Sequence, residues 1–162
     1  WYRPRDIIRL LSIAQDRFPN YENFSQFVLE SINKDYSVEC WKEQVEELRA
    51  IYNEEELTGI KTMLLSIKCP FTFNSLRSRC EEKKEMYNSV NILLSKHKLA
   101  DILSNLYRIG VIGNTGQKMR FSFRGDDELL IDNKMTIHQA LWGCLSVERD
   151  VERDRDIDRK YR

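Results

Sequence analysis

The chain has 162 residues, 41% of them hydrophobic, which is enough apolar material for one domain or two small ones. Lysine plus arginine and aspartate plus glutamate each total 26, so the overall charge favours no particular class of partner. No apolar run approaches the roughly 18 residues that span a bilayer, and no signal peptide is recognisable. We therefore expect a cytoplasmic protein without membrane contact.

The four cysteines show neither a CxxC pair nor a regular spacing. This usage predicts reduced, mostly buried thiols in a cytosolic protein rather than a disulfide framework or a zinc site. Only six glycines and three prolines are present, which indicates a mainly helical fold.

The first third of the sequence predicts a small helical bundle over residues 1–70. Apolar residues recur at helical spacing over 5–17, before Pro19, and a second helix is expected over about 23–34 with Phe24 and Phe27 on its buried side. Ser37 is a suitable N-cap for a third helix. Glu54 to Glu56 open a fourth helix, which is expected to be buried through Leu57, Ile60, Leu64 and Ile67 and to end at Cys69-Pro70.

Residues 71–145 predict a winged helix-turn-helix with a small β-hairpin wing. A short extended piece at 71–73 leads to Asn74, a possible cap for a helix over 75–87, and a helical pattern resumes after Asn88. It is strongest in LADILSNLYRIG, where Gly110 is placed for a C-terminal cap. A turn, GNTG, then precedes KMRFSFR, whose alternation has the period of a strand.

The end of the chain closes this domain and then becomes highly charged. Residues 125–133 predict a loop around a short apolar strand or turn. The stretch MTIHQALWGCL predicts a short helix that packs Ile137, Leu141, Trp142 and Leu145 onto the domain. Residues 146–162 alternate in charge with little to bury, which predicts a solvated helix extension or a disordered tail.

Charge is distributed unevenly along the chain. Residues 1–70 carry a net charge of −3, residues 71–124 carry +6, and residues 125–162 carry −3. A basic middle segment suits phosphate contact, because affinity for nucleic acid comes first from cations near the backbone. The candidate DNA-binding residues are Lys96, Lys98, Ser104, Asn105, Arg108, Lys118, Arg120 and Arg124.

An alternative interpretation of the basic segment is a solvated face on a winged helix that contacts proteins. Asp101 lies on the proposed recognition helix and weakens the argument for reading a DNA groove. The sequence also lacks a catalytic arrangement. His97 and His138 have no companion metal ligands nearby in sequence, and neither a nucleophile elbow nor a GxxxxGK[ST] loop is present. We therefore expect no enzyme activity, metal or cofactor in this chain alone.

Four short stretches occur in an order that resembles the C-terminal part of bacterial P-loop ATPases of the AAA+, STAND and KAP-like groups. YRPRDIIRLLSIAQ is similar to the helix that begins the lid after their nucleotide-binding domain. KDYSVECWKEQVEELRAIY, NLYRIGVIG and IHQALW are similar to a later helix pair, the end of a winged-helix recognition helix, and a closing motif. Together these stretches span about residues 1–145.

The resemblance implies a regulatory segment cut from a larger ATPase, with the P-loop domain as its partner and with ATP and Mg bound there. Arg5 matches the sensor position that reaches the γ-phosphate, and Arg3 would assist it. Without that domain, both arginines would belong to a solvated helix start. The resemblance also implies a bacterial protein in defence, including antiviral defence, or signalling, with homo-oligomer formation open. The alternatives are a stand-alone winged-helix DNA-binding regulator and a protein-interaction module.

Overall fold

Helices make up most of the chain, as the composition predicts. The computed structural model describes residues 4–116 and 118–149, without the side chains of residues 4 and 5. In this part of the chain the helices are α1 (Pro4–Arg17), α2 (Gln26–Leu48), α3 (Glu54–Leu64), α4 (Phe73–Met86), α5 (Asn88–Lys96), α6 (Leu99–Ile109) and α7 (Trp142–Leu145). The strands are β1 (Lys68–Cys69), β2 (Ile112–Asn114), β3 (Met135–Ile137) and β4 (Glu148–Arg149).

The second and third predicted helices are one continuous helix, α2, so the prediction of a break at Ser37 is wrong. The N-cap is Ser25, whose hydroxyl accepts a hydrogen bond from the backbone N–H of Val28. Ser37 is instead buried in mid-helix, and its hydroxyl accepts a hydrogen bond from the backbone N–H of Cys144 at 2.8 Å. The Ser37 hydroxyl therefore binds a backbone amide that is distant in sequence instead of capping a helix. No proline or glycine interrupts the helix at this point.

The burial predicted for the first two helices is only partly correct. Ala14 on α1 and Val28 and Ile32 on α2 form a small separate core. Phe24 and Phe27 were expected to be buried and are 49% and 62% exposed. The same region also exposes three apolar residues of α1, namely Ile7, Ile8 and Leu11.

Two helix starts are fixed by capping boxes. Asn53 and Glu56 exchange side-chain and backbone hydrogen bonds at the start of α3. Thr72 and Ser75 do the same for α4, so the prediction that Asn74 caps this helix is wrong by two residues. Gly110 ends α6 with a φ of 84°, which confirms the predicted glycine cap.

The last carbonyls of α3 are satisfied by two cations of α4. Arg79 donates hydrogen bonds to the carbonyl oxygens of Leu65 and Ser66 at 2.7 and 3.0 Å. Lys83 donates to those of Thr62 and Leu65. Burial, with a smaller effect from Arg79, lowers the pKa of Lys83 to about 8, which leaves the amine mostly charged at neutral pH. Positive charge at a helix C-terminus complements the helix dipole.

The predicted strand over residues 118–124 is wrong. Arg120 forms a single antiparallel bridge with Asn114, and Ser122–Arg124 is a 3-10 turn. The partner of β2 is β3, with Ile112 opposite Ile137 and Asn114 opposite Met135. The alternating pattern gave a false strand because the core covers only Phe121, while Met119 and Phe123 remain exposed.

The closing segment is shorter and more varied than predicted. Its first residues form β3, followed by a 3-10 turn at Gln139–Leu141 and then α7. Ile137, Leu141 and Leu145 are buried as predicted, and the half-buried Trp142 donates its indole N–H to the carbonyl oxygen of Ile137 at 2.8 Å. In the tail, β4 pairs in parallel with β1, and residues 150–162 lie outside the described residues.

The main core draws on both halves of the predicted domain division. It runs from Tyr36 on α2 through α3 and α6 to Leu145 on α7, and α3 packs closely on α5 across residue 70. Arg9 on α1 adds an ion pair to Glu43 on α2 at 2.7 Å. All four cysteines are free thiols and three of them are buried, which confirms the predicted burial; burial raises the pKa of Cys80 to about 11.

Candidate nucleic-acid interface

Lys96, His97 and Lys98 lie together where α5 ends and α6 begins. The ammonium group of Lys96 is 2.9 Å from Oε1 of Glu56, and Nε2 of His97 is 3.6 Å from the same oxygen. Lys98 is exposed and occupies the N-cap position of α6. Of the two lysines predicted to bind DNA, Lys96 is thus in a structural ion pair, and Lys98 presents its side chain to solvent.

Glu56 is the buried centre of this contact. Its carboxylate accepts a hydrogen bond from the backbone N–H of Asn53 at 2.9 Å as well as the contact from Lys96. These two interactions, the backbone one being the larger, hold the pKa of Glu56 below its usual value. The carboxylate therefore fixes the start of α3 and the turn before α6 at the same time.

The outward face of α6 is narrow and mixed in charge. Asp101, Ser104 and Arg108 are exposed on it. Asn105 is half-buried and donates a hydrogen bond from Nδ2 to the hydroxyl oxygen of Tyr52 at 2.9 Å. Of the three predicted DNA-binding residues on this helix, Ser104 and Arg108 face solvent, while Asn105 holds α6 to the residues before α3.

The long loop between β2 and β3 is anchored by a buried amide. Asn114 is 1% exposed, donates from Nδ2 to the carbonyl oxygen of Leu130 at 2.8 Å, and accepts from the backbone N–H of Leu130 at 2.9 Å. The GNTG pattern predicts a turn at Asn114, and nothing in that pattern indicates that the side-chain amide is buried. Its contact with Leu130 holds the far side of the loop against β2.

The three predicted cations of this loop surround one open cavity of about 1080 Å³. Lys118 is exposed, Arg120 pairs with Asp126 at 3.1 Å, and Arg124 donates to the carbonyl oxygen of Met119 at 3.2 Å. The structure thus brings Lys118, Arg120 and Arg124 together around one cavity, although not on the predicted strand. Other lining residues are Asn114, Thr115, Gly116, Met119, Asp126, Leu130 and Asn133.

An aromatic cluster beside this cavity was missed by the sequence analysis. The rings of Phe121 and Phe123 stack with centroids 5.1 Å apart, and His138 meets both rings edge-on at 5.4 and 5.7 Å. The guanidinium of Arg124 lies 5.8 and 5.9 Å from the two phenyl centroids. The FSFR stretch was the available signal, but it was interpreted as a strand face.

Arg3 and the side chain of Arg5 lie outside the described residues. Within residues 4–116 and 118–149, no group of three or more His, Cys, Asp or Glu side chains is arranged to hold a metal ion. In the same part of the chain, no helix combines the length and apolar character needed to cross a membrane.

Comparison with known proteins finds no match: no family model, curated protein or solved structure is significantly similar to this chain.

Substitution Glu56→Gln is expected to make the stability of the protein less dependent on acid. Because the folded-state pKa of Glu56 is lowered, its stabilising effect is complete above the ordinary carboxyl value of about 4.3 and is lost as the pH falls through the folded value. At pH 7 we expect the variant to lose about 1–2 kcal/mol of unfolding free energy, since one partner of a buried charged hydrogen bond is removed.

Urea unfolding between pH 3 and pH 7 measures this difference. Glu55→Gln on the exposed side of the same helix turn is the control. An equal loss of stability on acidification in wild type and Glu56→Gln would show that Glu56 does not carry the effect.

Proposed function

We propose that this chain is a non-catalytic regulatory segment of a P-loop ATPase, in which a helical lid couples nucleotide state to DNA or another partner through a winged helix. The observation that carries the proposal is the order of pairing. Phe71 bridges Met135 on one side of β3, and β2 pairs with β3 on the other. A winged helix has the order helix, strand, helix-turn-helix and two further strands. Here α3, residue 71, α5–α6, β2 and β3 follow that order, with one additional helix, α4, inserted between residue 71 and α5.

The lid part of the proposal rests on α1 and α2. The sequence resemblance assigns α1 to the helix that follows a nucleotide-binding domain, with Arg5 reaching the γ-phosphate and Arg3 assisting. Ile7, Ile8 and Leu11 are 45%, 66% and 38% exposed on α1, so three large apolar side chains face solvent within five residues of one helix. A neighbouring P-loop domain would cover such a surface.

The DNA part of the proposal rests on three cations that face solvent. Lys98 precedes α6, Arg108 lies in its last turn, and Lys118 lies on the loop after β2. In a helix-turn-helix the second helix enters the major groove, while flanking cations contact phosphates. Lys96 and Arg120 contribute less in this arrangement, because Glu56 and Asp126 already pair with them.

The DNA part predicts a strong effect of charge reversal. Duplex affinity is expected to fall about 10-fold or more when Lys98, Arg108 and Lys118 are all changed to Glu, and to fall steeply with salt in the wild type. Fluorescence anisotropy with a labelled duplex at several salt concentrations measures both effects. Lys42→Glu on the outer face of α2 is the matched control. Equal affinity of the triple variant and the control would exclude this surface as the DNA contact.

A further inference from the structure

The loop between β2 and β3 carries two hollows that share a wall. The open cavity of about 1080 Å³ presents the cations Lys118, Arg120 and Arg124. A smaller pocket of about 170 Å³ lies against Phe121, His138 and Trp142. Met119 and Arg124 line both, so a basic surface and an aromatic surface meet at Arg124.

An exposed aromatic ring lies next to this junction, although it lines neither hollow. Phe121 is 3% exposed and supports Phe123, which is stacked on it with an interplanar angle of 25° and is itself 38% exposed. Met119 beside it is 42% exposed. An exposed phenyl ring backed by a buried one is a firm platform, because the inner ring holds the outer ring in place without covering all of it.

The charge around the platform is positive on the cavity side. Three cations line the cavity against one carboxylate, Asp126, and that carboxylate pairs with Arg120. Lys118 and Arg124 also line this cavity, and the Arg124 guanidinium is held there by its hydrogen bond to the carbonyl oxygen of Met119. The guanidinium carbon of Arg124 also lies 5.9 Å from the centroid of the Phe123 ring. A cation and an aromatic face therefore lie side by side here.

We propose that this junction binds an unpaired strand of nucleic acid, with one base stacked on Phe123 and its flanking phosphates near Lys118 and Arg124. The inference rests on the proposed nucleic-acid contact and adds a preference for single strands. Base faces in a duplex are covered by their neighbours, so an aromatic side chain can stack only on a base that has left the helix. The phosphates on either side of that base reach the cations of the cavity.

A free mononucleotide fits this surface less well than a strand. Small-ligand sites bury most of the ligand in a hollow of about 300–1,000 Å³. The aromatic pocket is below that range, and the basic cavity is a broad, open surface. The phosphate backbone of a nucleic-acid strand suits the broad basic cavity, because it can contact a row of cations on an open surface.

The test compares a labelled oligothymidine of about 12 nucleotides with a duplex of the same length. We expect wild type to prefer the single strand, and Phe123→Ala to weaken single-strand binding about 5- to 100-fold, the loss of one stacked base. Phe123→Tyr should restore binding because it keeps the ring. Phe27→Ala, which removes an exposed phenyl ring from α2, is the control and should leave affinity unchanged.

Salt dependence separates the two halves of the site. Phe123→Ala should leave the slope of log affinity against log salt unchanged, whereas Lys118→Glu should reduce it. Unchanged single-strand affinity in Phe123→Ala would overturn the inference, and so would thymidine monophosphate that competes as well as the oligonucleotide. If Phe123→Ala has no effect while the triple charge reversal weakens duplex binding, only the single-strand site is refuted. Binding of neither DNA form would refute the DNA part of the proposed function as well.

Discussion

Substitution Gly59→Ala is expected to destabilise the protein by about 2 kcal/mol, although alanine is the better helix former. A Cβ at this position of α3 would lie 2.5 Å from the backbone carbonyl oxygen of Ser89 and 3.1 Å from Cβ of Leu93. Both neighbours belong to α5, and a backbone atom at the start of a packed helix cannot move away as a flexible side chain does. The two helices would have to separate.

Urea unfolding of Gly59→Ala measures this close approach directly. Thr58→Ala changes the neighbouring exposed residue and should stay within about 0.5 kcal/mol of wild type. In an open helix the same glycine replacement would stabilise by about 1 kcal/mol. The sign of the change in unfolding free energy therefore distinguishes a close helix contact from an open helix. A more stable Gly59→Ala protein would show that α3 and α5 do not pack as described.

Substitution Asn114→Leu is expected to cost about 3 kcal/mol and to release the loop between β2 and β3. Leucine keeps the branching at Cγ, but it removes the partners of both the N–H and the C=O of Leu130, and each unpaired polar group costs about 1–3 kcal/mol. The cations and the Phe123 platform on this loop would lose their fixed positions. Single-strand binding should weaken together with stability.

Hydrogen exchange at the amide of Leu130 is the most specific measurement for this prediction. Protection should be lost in Asn114→Leu and kept in Asn91→Leu, which changes an exposed asparagine on α5. Full protection of Leu130 in Asn114→Leu would mean that other contacts hold the loop.

The elements that the sequence predicted well are those whose signals are local. The strongly amphipathic pattern over α6 and the glycine that must adopt a positive φ at its end lie within a dozen residues, and both are as predicted. The acidic opening of α3 is equally local, since the Asn53–Glu56 capping box spans three residues.

The errors arise where a partner is distant in sequence. The local pattern predicts a helix cap at Ser37, because its partner, the amide of Cys144, is 107 positions away. The pattern also predicts the strand partner of β2 in the residues that follow it, whereas β3 lies beyond the whole loop. The ion pair between Lys96 and Glu56 is equally invisible in a local pattern, because the two residues lie 40 positions apart. In each case the local pattern places a side chain or strand in solvent or beside a sequence neighbour. In the folded protein the same side chain or strand contacts a residue that is distant in sequence.

The proposed coupling of nucleotide state to DNA affinity is tested most directly by measuring DNA affinity in the two nucleotide states. We expect the reading frame upstream of Trp1 to encode a P-loop domain, a whole-domain distance of about 200–300 residues before it. In the protein expressed with that domain, DNA affinity should differ about 5- to 150-fold between a non-hydrolysable ATP analogue and ADP, the usual range of allosteric coupling. Arg5→Ala should abolish the difference without abolishing DNA binding. Equal affinity in the two nucleotide states, with DNA bound in both, would show that nucleotide state is not coupled to DNA binding.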